Sequence, residues 1–295
     1  MDSIQTILVL GATGRQGGAV VDALTSGEFG SFDVVAGTRN PASDAAESLR
    51  SRGVSVVPVD LLDEESLVAA MEGVDGVFAV TTFFEGGIDA EIEQGKQIVA
   101  ACEAAGVDHL VFSSVGSADA DTGLEHFESK AQTERRIAET AIAATILRPV
   151  YFMQNLGGQA AQIRDGMVTL AMAEGVELAM VDQRDIGRAA AAAFADPDSF
   201  VGETLTLAGD SLTLDEIAAV LSEHLGTDVE AVHLDTETLR EQAGDEMAEM
   251  FVWFNETGYD VDVRALEERL SFEMGDLATC LEETGFIGTP ETTAR

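Results

Sequence analysis

Lysine, cysteine and aromatic side chains are scarce in this sequence of 295 residues. Two lysines, Lys96 and Lys130, are among the 16 basic residues, whereas 54 residues are acidic, so the formal net charge is −38. This charge argues against nucleic acid or an anionic membrane surface as the main partner, because both attract cationic patches. An acidic, lysine-poor surface is typical of proteins from a high-salt cytoplasm, where salt screens the self-repulsion. We therefore expect a halophilic host.

The chain also lacks long apolar runs and has two cysteines, Cys102 and Cys280. We expect both cysteines to be small buried hydrophobic residues in a reducing compartment. No apolar run approaches membrane-spanning length, and no signal peptide precedes the first predicted strand. Hydrophobic residues make up 46% of the chain and aromatic residues 6%, so the predicted core is mainly aliphatic. These features predict a soluble cytoplasmic protein. We expect it to be a monomer or a homodimer.

The first stretch of the chain, IQTILVLGATGRQGG (4–18), has the strongest local pattern. A short apolar run predicts a buried strand, and Gly11, Gly14 and Gly17 then lead into an amphipathic helix. Glycines at such a turn allow close backbone approach to a phosphate, and a helix start attracts an anion. The spacing is GxxGxxG rather than GxGxxG, and an ordinary tight turn is the alternative. We interpret the stretch as a dinucleotide-binding turn that includes Thr13, Arg15 and Gln16.

Strands alternate with helices over the first half of the chain, which predicts βαβ units and a parallel sheet. Six strands are predicted, at 7–10, 32–37, 54–59, 74–80, 107–114 and 144–147. The predicted fold is therefore α/β, a Rossmann-type doubly wound parallel sheet with a smaller α/β C-terminal lobe. We assign 1–150 to an NAD(P)-binding domain, rejoined by the chain at 176–208. Residues 151–287 form the lobe for a substrate or partner, and 288–295 form a frayed tail.

The end of the second predicted strand bears on the choice of cofactor. NAD-binding folds place an acid there for the ribose 2′-hydroxyl, whereas this chain has Thr38, Arg39 and Asn40. A guanidinium suits a 2′-phosphate, and Arg15 could flank the same group. The alternative is a surface arginine in an acidic protein. The pattern favours NADP(H) over NAD(H).

Polar and aromatic residues follow the other predicted strands, on the edge where open α/β sheets bind ligands. Asp60, with Leu61 beside it, could receive the adenine amino group or instead cap the next helix. Phe83 could close over the cofactor with Phe84, or both rings could pack in the core. The remaining candidates for cofactor contacts are Thr81, Thr82, Ser113, Tyr151, Phe152 and Asn155.

Lys130 and His126 lie four residues apart, on one face of a predicted helix. Lys130 could hold ribose hydroxyls, or it could be a surface lysine paired with Glu134. His126 could donate a proton near neutral pH, although a lone helix histidine is usually structural. The other histidines show no metal-ligand spacing, and we predict no metal site.

Four blocks in order, GATGRQGG (11–18), TRNP (38–41), HFESK (126–130) and LRPVYFMQNL (147–156), resemble the NmrA-like family of atypical short-chain dehydrogenases/reductases. The resemblance implies that the glycine turn holds a pyrophosphate and that Arg39 meets a 2′-phosphate. It implies that Lys130 is the lysine that contacts the nicotinamide ribose. The catalytic tyrosine of that superfamily is replaced here by His126.

The resemblance leaves two main functional hypotheses. The first is an NADPH-dependent reductase of a quinone-like or other conjugated small molecule, with His126 or water as proton source. The second is a non-catalytic NADP(H) redox sensor that acts through a protein partner, because some family members lacking the tyrosine regulate without turnover. A nucleotide-sugar epimerase is a weaker alternative, since such enzymes normally keep the tyrosine.

Overall fold

The computed structural model describes residues 4–84 and 86–288. The chain forms two compact units. The first contains the chain up to Pro149 together with Gln183–Thr206, and the second contains Val150–Asp182 and the chain from Leu207 onward. Strands β1–β12 and helices α1–α13 are numbered along the described chain.

The first unit contains one seven-stranded sheet in the order β10-β6-β5-β4-β1-β2-β3. Every pair of neighbouring strands from β6 through β5, β4, β1 and β2 to β3 is parallel, which confirms the predicted Rossmann-type arrangement. Its strands are β1 (Gln5–Leu10), β2 (Phe32–Thr38), β3 (Ser55–Pro58), β4 (Gly76–Val80), β5 (His109–Ser113), β6 (Ala144–Pro149) and β10 (Thr204–Leu207).

Helices cover both faces of this sheet. One face packs on apolar side chains of α3, α4 and α5, including Leu67, Ile98 and Ile137. On the other face α1 packs against α7, where a Cβ on Gly187 would lie 2.3 Å from the Ala19 carbonyl oxygen. The helices are α1 (Arg15–Ser26), α2 (Asp44–Ser51), α3 (Glu64–Met71), α4 (Gly87–Ala105), α5 (Glu125–Ala138), α7 (Gln183–Ala195) and α8 (Pro197–Phe200).

Two strands begin later than the apolar pattern predicts. The amide of Val74 donates to Met71 O, and the amide of Val107 donates to Cys102 O. Both valines therefore belong to turns that close the preceding helix, so β4 starts at Gly76 and β5 at His109. Apolar residues at a helix end and at a strand start look alike in sequence, since both are buried.

The second unit has two small sheets, in the orders β11-β9-β7 and β12-β8. Its strands are β7 (Tyr151–Phe152), β8 (Met167–Leu170), β9 (Glu177–Val181), β11 (Asp210–Thr213) and β12 (Glu230–His233). A 3₁₀ helix covers Met153–Gln159, and the α-helices are α6 (Ala160–Arg164), α9 (Leu214–Leu225), α10 (Thr236–Ala243), α11 (Asp245–Glu256), α12 (Val263–Leu270) and α13 (Leu277–Thr284).

The return of the chain to the main sheet differs from the prediction. Residues 176–208 were expected to rejoin it, but β9 pairs with β7 and β11 in the second unit. Its backbone hydrogen bonds are therefore already used there. The first unit resumes at Gln183, and within this segment β10 joins the main sheet beside β6. Of the expected frayed tail at 288–295, residues 289–295 lie outside the described residues.

His109, at the start of β5, is a buried histidine with a defined tautomer. The Thr145 hydroxyl donates to Phe200 O, so it accepts from Nε2 of His109 at 2.8 Å. Nδ1 is then unprotonated, and it is buried without a hydrogen-bond partner in the described part of the chain. Burial lowers the pKa of His109 from 6.5 to about 4.

We expect this histidine to make the fold acid-sensitive. Because its pKa is lower in the folded state than in the unfolded state, its contribution to stability is complete above pH 6.5. That contribution falls as the pH drops towards 4, by about 3 kcal/mol. Urea unfolding of wild type and His109→Gln at several pH values measures this, because the variant removes the titrating ring. A difference between the two proteins that stays constant from pH 7 to pH 4 would contradict the assignment.

Candidate functional site

The turn between β1 and α1 needs its glycines for geometric reasons. Gly11 has a φ of +67°, a conformation that side-chain-bearing residues rarely adopt. A Cβ on Gly17 would lie 2.2 Å from Gly11 O, so the helix could not approach the turn this closely with any other residue. On Gly14 the same oxygen would be 3.2 Å away. The close approach of α1 to the turn is what the glycine spacing predicts.

The N-terminus of α1 is left open for an anion. Its N-cap is Gly14, no side chain caps it, and its first turn carries no acidic residue. A Ser, Thr or Asp side chain caps each of α2, α3, α9, α10, α12 and α13. The helices α4, α5, α8 and α11 also lack a side-chain cap, but each carries an acid in its first turn, and α6, which has neither, follows directly on the 3₁₀ helix. In a chain with 54 acidic residues, this helix start therefore keeps its positive dipole end uncompensated. The turn fits the diphosphate of a dinucleotide.

The predicted adenosine-side residues follow the neighbouring strands β1 and β2. The hydroxyls of Thr13 and Thr38 lie 3.3 Å apart and join the two loops. Arg15, Arg39 and Asn40 are exposed at this edge of the sheet. Exposed guanidiniums after two adjacent strands suit a phosphate that projects from the sheet edge.

Asp60 follows β3 and is exposed, with half-buried Leu61 beside it. Its Oδ1 accepts from the Leu62 amide at 3.0 Å. The helix cap is instead Asp63, which accepts from the Ser66 amide at 3.2 Å. The alternative reading of Asp60 as the cap of α3 was therefore wrong, and its predicted contact with adenine stays a prediction.

Lys130 is directed into the protein, towards the loop after β4. Its Nζ donates to Thr81 O at 2.6 Å and to Thr81 Oγ1 at 2.9 Å, and it lies 3.1 Å from Oε1 of Glu91. Its side chain is 11% exposed. Burial lowers the pKa of Lys130, and the Glu91 carboxylate opposes that shift. The alternative of a surface lysine paired with Glu134 was wrong, because Glu134 pairs with Arg148.

Glu91, on α4, is a site residue that the sequence reasoning missed. It is fully buried, and it accepts hydrogen bonds from the hydroxyls of Thr81 and Ser129. Three residues further along α4, Gln94 accepts from the Thr82 amide and donates to Thr82 O. The available signal was the position of both residues on the helix stripe that also carries Ile98, where polar residues are unusual.

His126, on α5, lies against Phe83 of the loop after β4 and against its own neighbour Phe127. Its ring centroid is 5.6 Å from that of Phe83 and 4.7 Å from that of Phe127. Phe83 stacks on Phe84 at 4.3 Å, and Phe84 is 85% exposed. The alternative that both rings pack in the core was therefore wrong for Phe84. The His126 imidazole therefore lies beside the loop that Lys130 holds, and this loop also carries the exposed ring of Phe84.

Two serines at the end of β5 are occupied by other side chains. Ser113 donates to Oε1 of Gln16 at 2.6 Å, which ties this strand to the glycine turn. Ser114 donates to Glu134, whose carboxylate also accepts two hydrogen bonds from Arg148. The Ser113 contact brings two predicted cofactor residues together, although they lie 97 positions apart.

The last three predicted residues, Tyr151, Phe152 and Asn155, belong to the second unit. Tyr151 packs edge-on against Phe251 and Phe254 at 6.4 and 6.1 Å. Burial raises the pKa of Tyr151 to about 12, and a hydrogen bond with Asn155 opposes the shift. Their contact with a cofactor stays a prediction.

The described residues contain neither a candidate metal site nor a candidate membrane span. Among residues 4–84 and 86–288, no group of His, Cys, Asp and Glu side chains could hold a metal ion. Within the same ranges, no helix is both long and apolar enough to cross a membrane. Both cysteines are buried, as predicted, and neither forms a disulfide.

Comparison with known proteins identifies the family of this chain. The model of the NmrA-like family matches residues 3–284. The chain belongs to the NmrA-like family. Among curated relatives, the NAD(P)H azoreductase of Xenophilus azovorans is 30% identical over 80% of this chain and 79% of its own. Quinone oxidoreductase 2 of Escherichia coli is 31% identical over 76% of each chain.

Solved structures agree with the family assignment. The NADPH-dependent quinone oxidoreductase QOR2 of Escherichia coli, solved with NADPH, superposes with a TM-score of 0.80 at 26% identity. The match covers 95% of this chain and 99% of that one. The negative transcriptional regulator NmrA, solved with NADP, has a TM-score of 0.77 at 20% identity and covers 94% of both chains. The NmrA likeness shows the fold alone.

In this NmrA-like chain, the grouped residues have a limited chemical repertoire. The loop after β4 presents hydroxyls and aromatic rings, the glycine turn presents backbone amides, and the imidazole of His126 lies beside Phe83 of the loop. Both serines at the end of β5 are engaged with other side chains. Such a site can bind and orient two reactants and supply one proton.

Proposed function

We propose that this protein binds NADP(H) and is an NADPH-dependent reductase of a quinone-like or other conjugated small molecule. The observation that carries the proposal is the uncapped, acid-free start of α1 against the glycine turn, which fits a dinucleotide diphosphate. Reduction is supported by two relatives at 30% and 31% identity, an azoreductase and a quinone oxidoreductase. Azo compounds and quinones are both conjugated molecules that can accept a hydride.

Each part of the site then has a role. The backbone amides after Gly14 hold the pyrophosphate, and Arg39 with Arg15 holds the 2′-phosphate, so NADP(H) is preferred over NAD(H). Thr81, Thr82 and Phe83 border the nicotinamide end, beside Lys130. The bound nicotinamide supplies the hydride. An imidazole nitrogen of His126, or a water molecule, supplies the proton to the reduced acceptor, and most of the rate comes from positioning.

One observation favours a second function, a non-catalytic NADP(H) sensor that acts through a protein partner. Lys130 is engaged with Thr81 and Glu91. The resemblance to the family also implies that His126 occupies the position of the superfamily tyrosine. A protein built this way could bind the cofactor without transferring hydride. Differential affinity of two conformations for NADPH would then carry the signal.

NADPH consumption with a panel of quinones and azo compounds separates the two functions. We expect at least one acceptor to raise the rate at least tenfold above the rate without an acceptor, because a bound, oriented hydride donor needs little acid assistance with such acceptors. NADPH affinity is measured in parallel by fluorescence titration. Micromolar binding with no acceptor-dependent consumption would reject the reductase and leave the sensor. Absence of binding would reject both.

A further inference from the structure

The ammonium group of Lys130 has no hydrogen to spare for a ligand in this structure. It carries three N–H bonds. The protein offers three oxygens within reach: Thr81 O at 2.6 Å, Thr81 Oγ1 at 2.9 Å and Glu91 Oε1 at 3.1 Å. The resemblance described above implies that this lysine contacts the nicotinamide ribose. A ribose hydroxyl could be bound only if one of these three contacts opened.

Glu91 depends on the same contacts. It is fully buried, and burying a carboxylate is costly unless a cation and hydrogen-bond donors compensate for the lost water. Lys130 is the cation, and the hydroxyls of Thr81 and Ser129 are the donors. Removal of either charge alone leaves the other buried and unpaired.

The helices α4 and α5 are brought together at this point by a glycine. A Cβ on Gly95 would lie 2.0 Å from the Thr133 hydroxyl, so a side chain there would separate the two helices. Ser129 is one turn before Thr133 on α5, and Glu91 is one turn before Gly95 on α4. The close packing of α4 against α5 therefore keeps Glu91 and Lys130 in contact.

The pair acts on a loop next to the glycine turn. Together with Gln94, it fixes two consecutive residues of this loop, Thr81 and Thr82. The loop follows β4, which pairs with β1. A Cβ on Gly11 would lie 3.5 Å from Val80, the last residue of β4. The loop thus lies beside the turn assigned to the diphosphate. We call Glu91, Lys130 and Gln94, which hold the loop of Thr81 and Thr82, the clamp.

We propose that Glu91 is a positioning residue for the nicotinamide end of the site, and that its buried pair with Lys130 fixes the loop of Thr81 and Thr82 rather than freeing Lys130 to bind ribose. This inference rests on the proposed binding of NADP(H). Lys130 then affects cofactor binding indirectly, through the position of the loop. The loop contacts the cofactor, and the pair sets where the loop lies.

A double-mutant cycle tests the clamp. The variants are Glu91→Gln, Lys130→Met and the double variant, and the ligands are NADPH and 2′,5′-ADP, which lacks the nicotinamide half. We expect each single variant to bind NADPH at least tenfold more weakly and 2′,5′-ADP within twofold of wild type. The double variant removes both buried charges, so we expect it to bind NADPH more tightly than either single variant.

Two results would overturn the proposal. One is that Glu91→Gln binds NADPH as wild type does. The other is that the double variant binds NADPH no better than Lys130→Met, which is the result for a lysine that contacts ribose directly. A matched control is the exposed pair of Lys96 and Glu93 on α4, 3.3 Å apart, for which Glu93→Gln and Lys96→Met should each leave both affinities unchanged.

Lys130→Met leaves a buried charge and could fail to fold, so Gln94→Leu provides a second test. It releases Thr82 without altering either charge, and the clamp predicts weaker binding of NADPH with unchanged binding of 2′,5′-ADP. Equal losses for both ligands would overturn the proposal. If wild type itself fails to bind NADPH, the proposed function fails. The clamp is then still tested by the unfolding free energies of the cycle, where additive effects would reject it.

Discussion

The Gly17→Ala protein is expected to lose NADPH binding and to unfold more easily than wild type, by about 3 kcal/mol. The added Cβ would lie 2.2 Å from Gly11 O, 2.6 Å from Gly11 C and 2.9 Å from the Ala12 amide nitrogen. All three are backbone atoms, so no side-chain rotation can relieve the clash. The start of α1 must move away from the turn, and its amides then leave the positions that fit a diphosphate.

The adjacent glycine provides a matched control. A Cβ on Gly18 would have as its nearest neighbour Ala12 O at 3.7 Å, an ordinary contact. Alanine also favours a helix over glycine by about 1 kcal/mol. Gly18→Ala should therefore keep its NADPH affinity and be as stable as wild type or more so. Fluorescence titration and urea unfolding measure both quantities. Equal losses in the two variants would show that the turn does not depend on close approach at Gly17.

Replacement of Arg39 by aspartate is expected to reverse the cofactor preference. The change removes a charge-assisted contact with the 2′-phosphate, worth about 2 kcal/mol, and adds a repelling charge. We therefore expect NADPH to bind about 100-fold more weakly. NADH should bind as well as before or better, because an acid at this position can accept from the 2′-hydroxyl. Dissociation constants are measured at one ionic strength, since Arg39 is exposed and salt screens such contacts.

The control must distinguish the loss of a local contact with the phosphate from the change in the net charge of the protein. Arg264→Asp makes the same change in charge at a side chain in the second unit that is 86% exposed and paired with Glu268. We expect it to leave the ratio of NADPH to NADH affinity unchanged. If Arg39→Asp also leaves this ratio unchanged, Arg39 does not read the phosphate.

Local signals in the sequence predicted much of the fold. The observed caps of α2, α3 and α9, which are Ser43, Asp63 and Thr213, are local features of this kind, because a cap bonds an amide three residues away. The alternation of strands and helices predicted the parallel sheet for a similar reason, since a buried strand and an amphipathic helix are each encoded within about a dozen residues. The glycine turn was also readable, because its strand, turn and helix are contiguous.

The partner of Lys130 was beyond such local reasoning. The sequence offered Glu134, four residues away on the same helix, whereas the structure pairs Lys130 with Thr81, 49 positions away, and with Glu91. A buried pair competes with a solvated one only when the protein around it supplies hydrogen bonds. Here these come from another helix and a loop.

By itself, the sequence determined the Rossmann-type sheet, the glycine turn and the edge of the sheet where candidate ligand residues collect. Each of these depends on residues that are close along the chain. Only the tertiary structure decided that Glu91 and Gln94 hold the loop after β4, that Ser113 meets Gln16, and that β9 belongs to the second unit. Those outcomes depend on which distant groups are buried together, and burial is a property of the packed chain rather than of any short segment.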